Sequence, residues 1–114
     1  MISTNQTFHD IYWTSERLQI EWIDERAMIA NWFSALKSGW HVIVIDHVEQ
    51  SGDTWEVVDA VHRIDPAKVL EAMQAAGFVL VGQSDMVRRS NDDITKSIFD
   101  ETVRGKTHRF MIKF

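Results

Sequence analysis

A chain of 114 residues with a formal charge of −5 forms one domain at most, and its acidic balance speaks against a nucleic-acid partner, which needs a basic face. With no cysteine there is neither a disulfide framework nor a thiolate metal site, and a cytoplasmic setting is expected. An apolar share of 45% supports a modest core, but no apolar run approaches the roughly 18 residues that span a membrane, and Met1-Ile2-Ser3-Thr4-Asn5 lacks the basic-then-apolar pattern of a signal peptide.

In chain order, Gln6-Thr7-Phe8 reads as a strand stub, and residues 9–23 mix aromatics and charges without a period, as loops do. Asp24 is a good N-cap, and Met28, Ile29, Trp32, Phe33 and Leu36 share one helical face, with Lys37 at the negative end and Gly39 as a left-handed stop. Trp40 to Ile45 is apolar and β-branched apart from His41. A strand apolar on both faces is usually covered on both, as in a parallel sheet. Ser51-Gly52-Asp53 reads as a turn. Thr54 to Ile64 carries Val57, Val58, Val61 and Ile64 at helical spacing. Asp65-Pro66 opens a further helix, with Val69, Leu70, Met73 and Ala76 as its buried stripe and Gly77 as its end. Phe78 to Val87 reads as a strand, and residues 88–106 are polar with a short helix over Asp92–Phe99. Thr107 to Phe114 alternates as a half-covered strand, antiparallel to the one before it. A right-handed crossover joins the 41–46 and 78–87 strands, and the last strand slots between them. The class is α/β, with a mixed sheet of three or four strands.

Several strings carry a resemblance: His9-Asp10-Ile11-Tyr12-Trp13, Asp46-His47, His62-Arg63-Ile64-Asp65-Pro66 and Arg104-Gly105-Lys106-Thr107. Over about residues 8–114 the chain resembles the C-terminal half of the class I S-adenosylmethionine-dependent methyltransferases, in a bacterial subgroup. The resemblance implies a truncated Rossmann-like unit over 24–114, preceded by an arm over 1–23, within a single domain. Family members hold the cofactor with a glycine-rich loop after the first strand, and no G-x-G-x-x-G lies in this chain. Without that turn and its helix N-terminus there is no cradle for the cofactor.

Ligands of open α/β sheets bind beyond the carboxyl ends of the strands. If the family fold holds, His9, Asp10, Asp46 and His47 converge there. Two imidazoles and two carboxylates can take a small polar molecule or a divalent metal, or persist as a hydrogen-bonded remnant of an ancestral substrate side. Their adjacent spacing, unlike an i,i+4 pair on a helix, assigns no metal. His62 and Arg63 either bond nearby carbonyls or reach the same rim. Arg104, Lys106, His108 and Arg109 form a basic cluster that either attracts an anion or balances Asp92, Asp93, Asp100 and Glu101. Neither a G-x-S-x-G, an H-E-x-x-H nor a P-loop is present, so no catalytic residue is assigned.

Half of a doubly wound sheet leaves the 41–46 strand as an open edge and apolar faces without cover. Either a homodimer forms, with Trp13, Trp22, Trp32 and Trp40 at its contact, or residues 1–23 fold back. The resulting expectation is a non-catalytic, methyltransferase-derived homodimer that takes a small polar ligand at the rim and needs no cofactor. The alternative is one subunit of a split methyltransferase, with S-adenosylmethionine bound only when a partner chain completes it. A decayed fragment with little activity stands beside both.

Overall fold

In the computed structural model, which describes residues 1–49 and 52–114, four strands form a single mixed sheet. The β-branched run becomes β2 (Val42–His47). β1 (Ile2–Asn5) lies parallel to it, with Ile2 opposite Val42 and Asn5 opposite Ile45. β4 (Arg109–Lys113) runs antiparallel to β2 and pairs on its other side with β3 (Gly82–Ser84). The α/β class is as the sequence implies, with the C-terminal strand inserted between its two predecessors. The first strand sits upstream of the expected stub, because Gln6 turns out of the ladder at φ 59°. The open edge therefore belongs to β1, not to the 41–46 strand.

Three helices accompany the sheet. Asp24 caps α1 (Glu25–Ala35), Asp53 caps α2 (Thr54–Val61) and Asp65 caps α3 (Pro66–Ala75), each carboxylate accepting a first-turn N–H. α1 ends before Gly39, with Leu36 already extended. α2 stops short of Ile64 because His62 adopts the left-handed conformation. The expected turn at 51–53 lies partly outside the described residues. No helix among those described is long and apolar enough to cross a membrane.

The core forms on one face of the sheet. Val42 and Val44 of β2 join Phe110, Ile112 and Phe114 at the chain's end, and Ile29, Val58, Val69 and Met73 descend on them from the helices. Residues 1–23 are not a detached arm. β1 completes the sheet, a 3-10 helix comes next at His9–Tyr12, and Phe8, Ile11 and Tyr12 are buried. On the other face Ile43, Ile45 and Met111 are only half-buried and stand outside the core, so β2 lacks the two-sided cover its composition suggests.

Two expected elements shrink or vanish, each for a local reason. The 78–87 strand contracts to Gly82–Ser84, which pair with Met111 to Lys113 of β4. Upstream, Phe78 turns inward against Phe114, and downstream Ser84 and Asp85 close a turn onto Met86 and Arg88. The 92–99 helix is replaced by turns. Asp93, Ser97 and Asp100 each accept the backbone N–H two residues on, at 3.2, 3.3 and 2.8 Å, a local alternative to helical bonding.

This irregular segment is held by Arg63, which has no exposed surface. Its guanidinium grips Asp92 through two contacts of 2.6 and 3.1 Å and also donates to the carbonyls of Val48 and Lys96. Asp92 accepts the His108 N–H at 2.7 Å as well, so one ion pair ties α2's exit, the polar segment and the approach to β4. Burial alone would raise the Asp92 carboxyl, but the Arg63 and His108 donors hold it below the usual aspartate range. Removing one partner strands a covered charge. Asp92→Ala should therefore lower the unfolding free energy measured in urea by about 3 kcal/mol. The double variant Arg63→Met/Asp92→Leu should recover part of that loss, since no buried charge remains.

Candidate functional site

Because β1 and β2 are parallel, their carboxyl ends open on the same rim. β1 leads through Gln6 into the 3-10 helix that carries His9 and Asp10, and β2 ends in Asp46-His47. Asp46 has no exposed surface. Its carboxylate accepts the backbone N–H of His9 at 2.8 Å and that of His47 at 2.7 Å, and lies 2.7 Å from His9 Nδ1. The chain exits of both strands are thereby fixed on one group. The His9 ring is orientated by the same contact, with Nδ1 on Asp46 and Nε2 on the far side, 3.3 Å from Asp10 Oδ1.

The two central histidines differ in charge preference. Burial alone would depress His9, but its bond to Asp46 and the charges of Asp46 and Asp10 outweigh that and raise its pKa. His47 is also buried, and there desolvation prevails, lowering it to about 4, with Asp46 only partly offsetting and His9, Arg63 and Arg109 adding to the effect. Its Nδ1 lies 2.7 Å from the Thr107 hydroxyl, a partner 60 positions away in sequence.

His62 enters from the end of α2. Its left-handed backbone, φ 53° and ψ 46°, is uncommon for a side-chain-bearing residue and swings the imidazole back toward the rim. The ring packs edge-on between Trp13 at 4.9 Å and Phe99 at 5.1 Å, with the His9 ring at 5.8 Å. Beside this cluster runs a groove of about 380 Å³ whose walls include Gln6, His47, Phe99, Arg104, Thr107 and Arg109. Neither Arg104 nor Arg109 has a side-chain hydrogen bond or ion pair among the described residues.

The structure thus gathers His9, Asp10, Asp46, His47 and His62 at one place. Arg63 stands apart, its guanidinium engaged with Asp92 and two carbonyls. The four tryptophans separate as well. Trp13 walls the site and Trp32 meets Phe8 edge-on at 6.1 Å, whereas Trp22 and Trp40 are largely exposed. Thr107, Phe99 and Gln6 belong to the site although the sequence does not single them out as contributors. No local pattern marks them, because each arrives through long-range packing or an unusual φ. Chemically, the group facing His9 Nε2 is a carboxylate rather than a hydroxyl, so the Asp46–His9 pair is not arranged to activate a serine or threonine. No protein-family model, curated protein or solved structure matches the chain.

The opposed shifts of His9 and His47 give stability a maximum. His9, raised above the ordinary 6.5, contributes fully below that pH and loses its contribution as pH climbs through its folded-state value. His47, lowered to about 4, contributes above pH 6.5 and loses its share as pH falls from 6.5 toward 4. At about 1.4 kcal/mol per pKa unit, the His47 swing is about 3 kcal/mol. Urea midpoints measured across pH should peak near 6.5, and His47→Gln should flatten the acid limb while leaving the alkaline one. A midpoint that rises steadily across the range would contradict the His9 assignment, and one that falls steadily would contradict that of His47.

Proposed function

We propose that this chain is a non-catalytic, methyltransferase-derived protein that assembles as a homodimer and binds a small anionic molecule in the groove at its strand-end rim. The observation that carries the ligand reading is an open groove with a strained residue, Gln6, in its wall and a second, His62, in the imidazole cluster beside it. Gln6 and His62 hold positive φ without being glycine, at a cost of order 1–3 kcal/mol each, and such strain concentrates at binding sites. The choice of an anion rests on Arg104 and Arg109, two groove-lining cations with no internal partner among the described residues, in a chain of net charge −5.

The ancestry is supported by topology. A parallel pair, with an antiparallel final strand inserted before its predecessor, is the order that the resemblance implies. The non-catalytic reading is supported by the chain's glycines, which are isolated and form no G-x-G-x-x-G, so no glycine turn opening a helix is available to cradle the cofactor. The homodimer is supported by exposed apolar surface. Phe33, Trp40, Val79 and Val81 border an open cleft of about 460 Å³, and the half-buried Ile43, Ile45 and Met111 lie on the uncovered sheet face. A second reading, one subunit of a split methyltransferase, is favoured by the outer edge of β1, unpaired among the described residues, where a further parallel strand would join.

Light scattering coupled to size-exclusion chromatography should give twice the chain mass, and calorimetric titration with S-adenosylmethionine should be silent. Citrate, as a probe anion, should raise the melting temperature of the chain but not that of Arg104→Ala/Arg109→Ala. Micromolar binding of S-adenosylmethionine would replace the non-catalytic reading with the split enzyme. A monomer at tens of micromolar would remove the dimer.

A further inference from the structure

We propose that His9, Asp10 and His62 form a binding site for a divalent transition-metal cation, separate from the arginine groove and independent of whether that groove takes a ligand. One donor atom from each of the three lies within 4.8 Å of the others. The separation of His9 Nε2 from Asp10 Oδ1 is 3.3 Å. That is long for a charge-assisted hydrogen bond, which closes to about 2.7–2.9 Å. It matches the roughly 3.4 Å between two ligands that each sit about 2.0–2.1 Å from a tetrahedral ion.

The surroundings are built as metal sites are built. A ligating histidine ordinarily donates its second ring N–H to a carboxylate, which fixes the tautomer and aims the other nitrogen at the ion. Here His9 Nδ1 is 2.7 Å from Asp46, itself fully buried and held by two backbone N–H groups. His9 is 3% exposed, so the direction of its Nε2 is set by packing rather than by solvent. The second imidazole is equally constrained, clamped between Trp13 and Phe99 on a residue whose backbone departs from the helix to place it there.

The donor set selects the class of ion. Two imidazoles and one carboxylate suit zinc, cobalt or nickel, whereas magnesium and calcium prefer all-oxygen shells and copper(I) prefers sulfur. Three protein ligands also leave at least one coordination position for water or a small anion. None of this is visible in the sequence spacing, because His62 lies 52 positions beyond Asp10.

The test is calorimetric titration of the chain with zinc chloride, together with the visible spectrum after cobalt(II) addition. One ion per chain is expected, with the d–d absorption of a four-coordinate cobalt centre. Asp10→Asn and His62→Asn should each weaken zinc binding by at least about 100-fold, because each removes a direct ligand, while loss of an outer-shell partner costs about 10–100-fold. Asparagine is chosen at 62 because it tolerates the left-handed backbone, so the fold is kept and circular dichroism should be unchanged. His41→Gln, at the opposite end of β2, should leave the affinity unchanged. Silence toward both metals, or zinc binding that survives Asp10→Asn and His62→Asn, would overturn the site. The citrate response of the unmutated chain is read separately, so failure here leaves the groove untouched and failure there leaves this site untouched.

Discussion

The carboxylate of Asp46 is the constraint on which the rim depends. It has no exposed surface, and a buried charge is tolerable only when donors surround it. Two of its donors are backbone N–H groups, from His9 and His47, and the third contact is a ring nitrogen. The arrangement joins the exit of an edge strand to the exit of a central one across 37 positions of sequence. β1 contributes only four residues to the sheet and would be a weak edge by itself. The Asp46 contacts anchor the 3-10 helix beyond it, so the same group that arranges the candidate ligands also holds the N-terminal segment in the fold.

A second buried charge does similar work lower in the chain. The segment between β3 and β4 is held by Asp and Ser side chains that satisfy nearby amides, and such turns have little reason to adopt one position relative to the sheet. Arg63 supplies that reason by reaching Asp92 and Lys96 within the segment and Val48 just past β2 at once. Through this clamp the position of Phe99 and Thr107 at the rim is coupled to the backbone at residue 63. His62 and Arg63 are neighbours with opposite destinations, one swung to the rim and one to the polar segment. The left-handed turn at 62 makes that divergence possible, because it redirects the chain between the two side chains.

Much of the frame was legible where local chemistry decides. The aspartate caps at 24 and 65, the proline entry at 66, the β-branched run of β2 and the alternation of β4 all acted within a few residues of themselves, whereas Asp53, read as part of a turn, proved to be a third cap. Asp46-His47 and His9-Asp10 were legible as rim residues only through the expected topology. The hidden features were governed by distance or by competition. The 78–87 strand lost length because Phe78 packs inward against Phe114, a residue distant in sequence, and because Ser84 and Asp85 turn the chain away. The helix at 92–99 lost to side-chain bonding by Asp93, Ser97 and Asp100, which satisfy nearby amides locally. Arg63 stood in sequence beside a rim histidine, and only its neighbours in space reveal that it stabilises structure instead.

The distribution of polarity along β2 bears on how binding and assembly can coexist. At its carboxyl end lie Asp46 and His47 with the arginine groove, and at its amino end lies the apolar cleft bordered by Trp40, Phe33, Val79 and Phe114. Six residues of strand separate the two, about 20 Å at the usual rise. A second copy seated on the cleft would remove the exposed tryptophan and valines from water while leaving the rim in solvent. Contact through the uncovered sheet face is less orderly, because Ile43, Ile45 and Met111 share it with Lys113 and Arg109, whose charges would have to be desolvated or kept at the margin. On these grounds the amino-end cleft is the better seat for the proposed self-association, and a contact there would leave the carboxyl-end rim open to solvent.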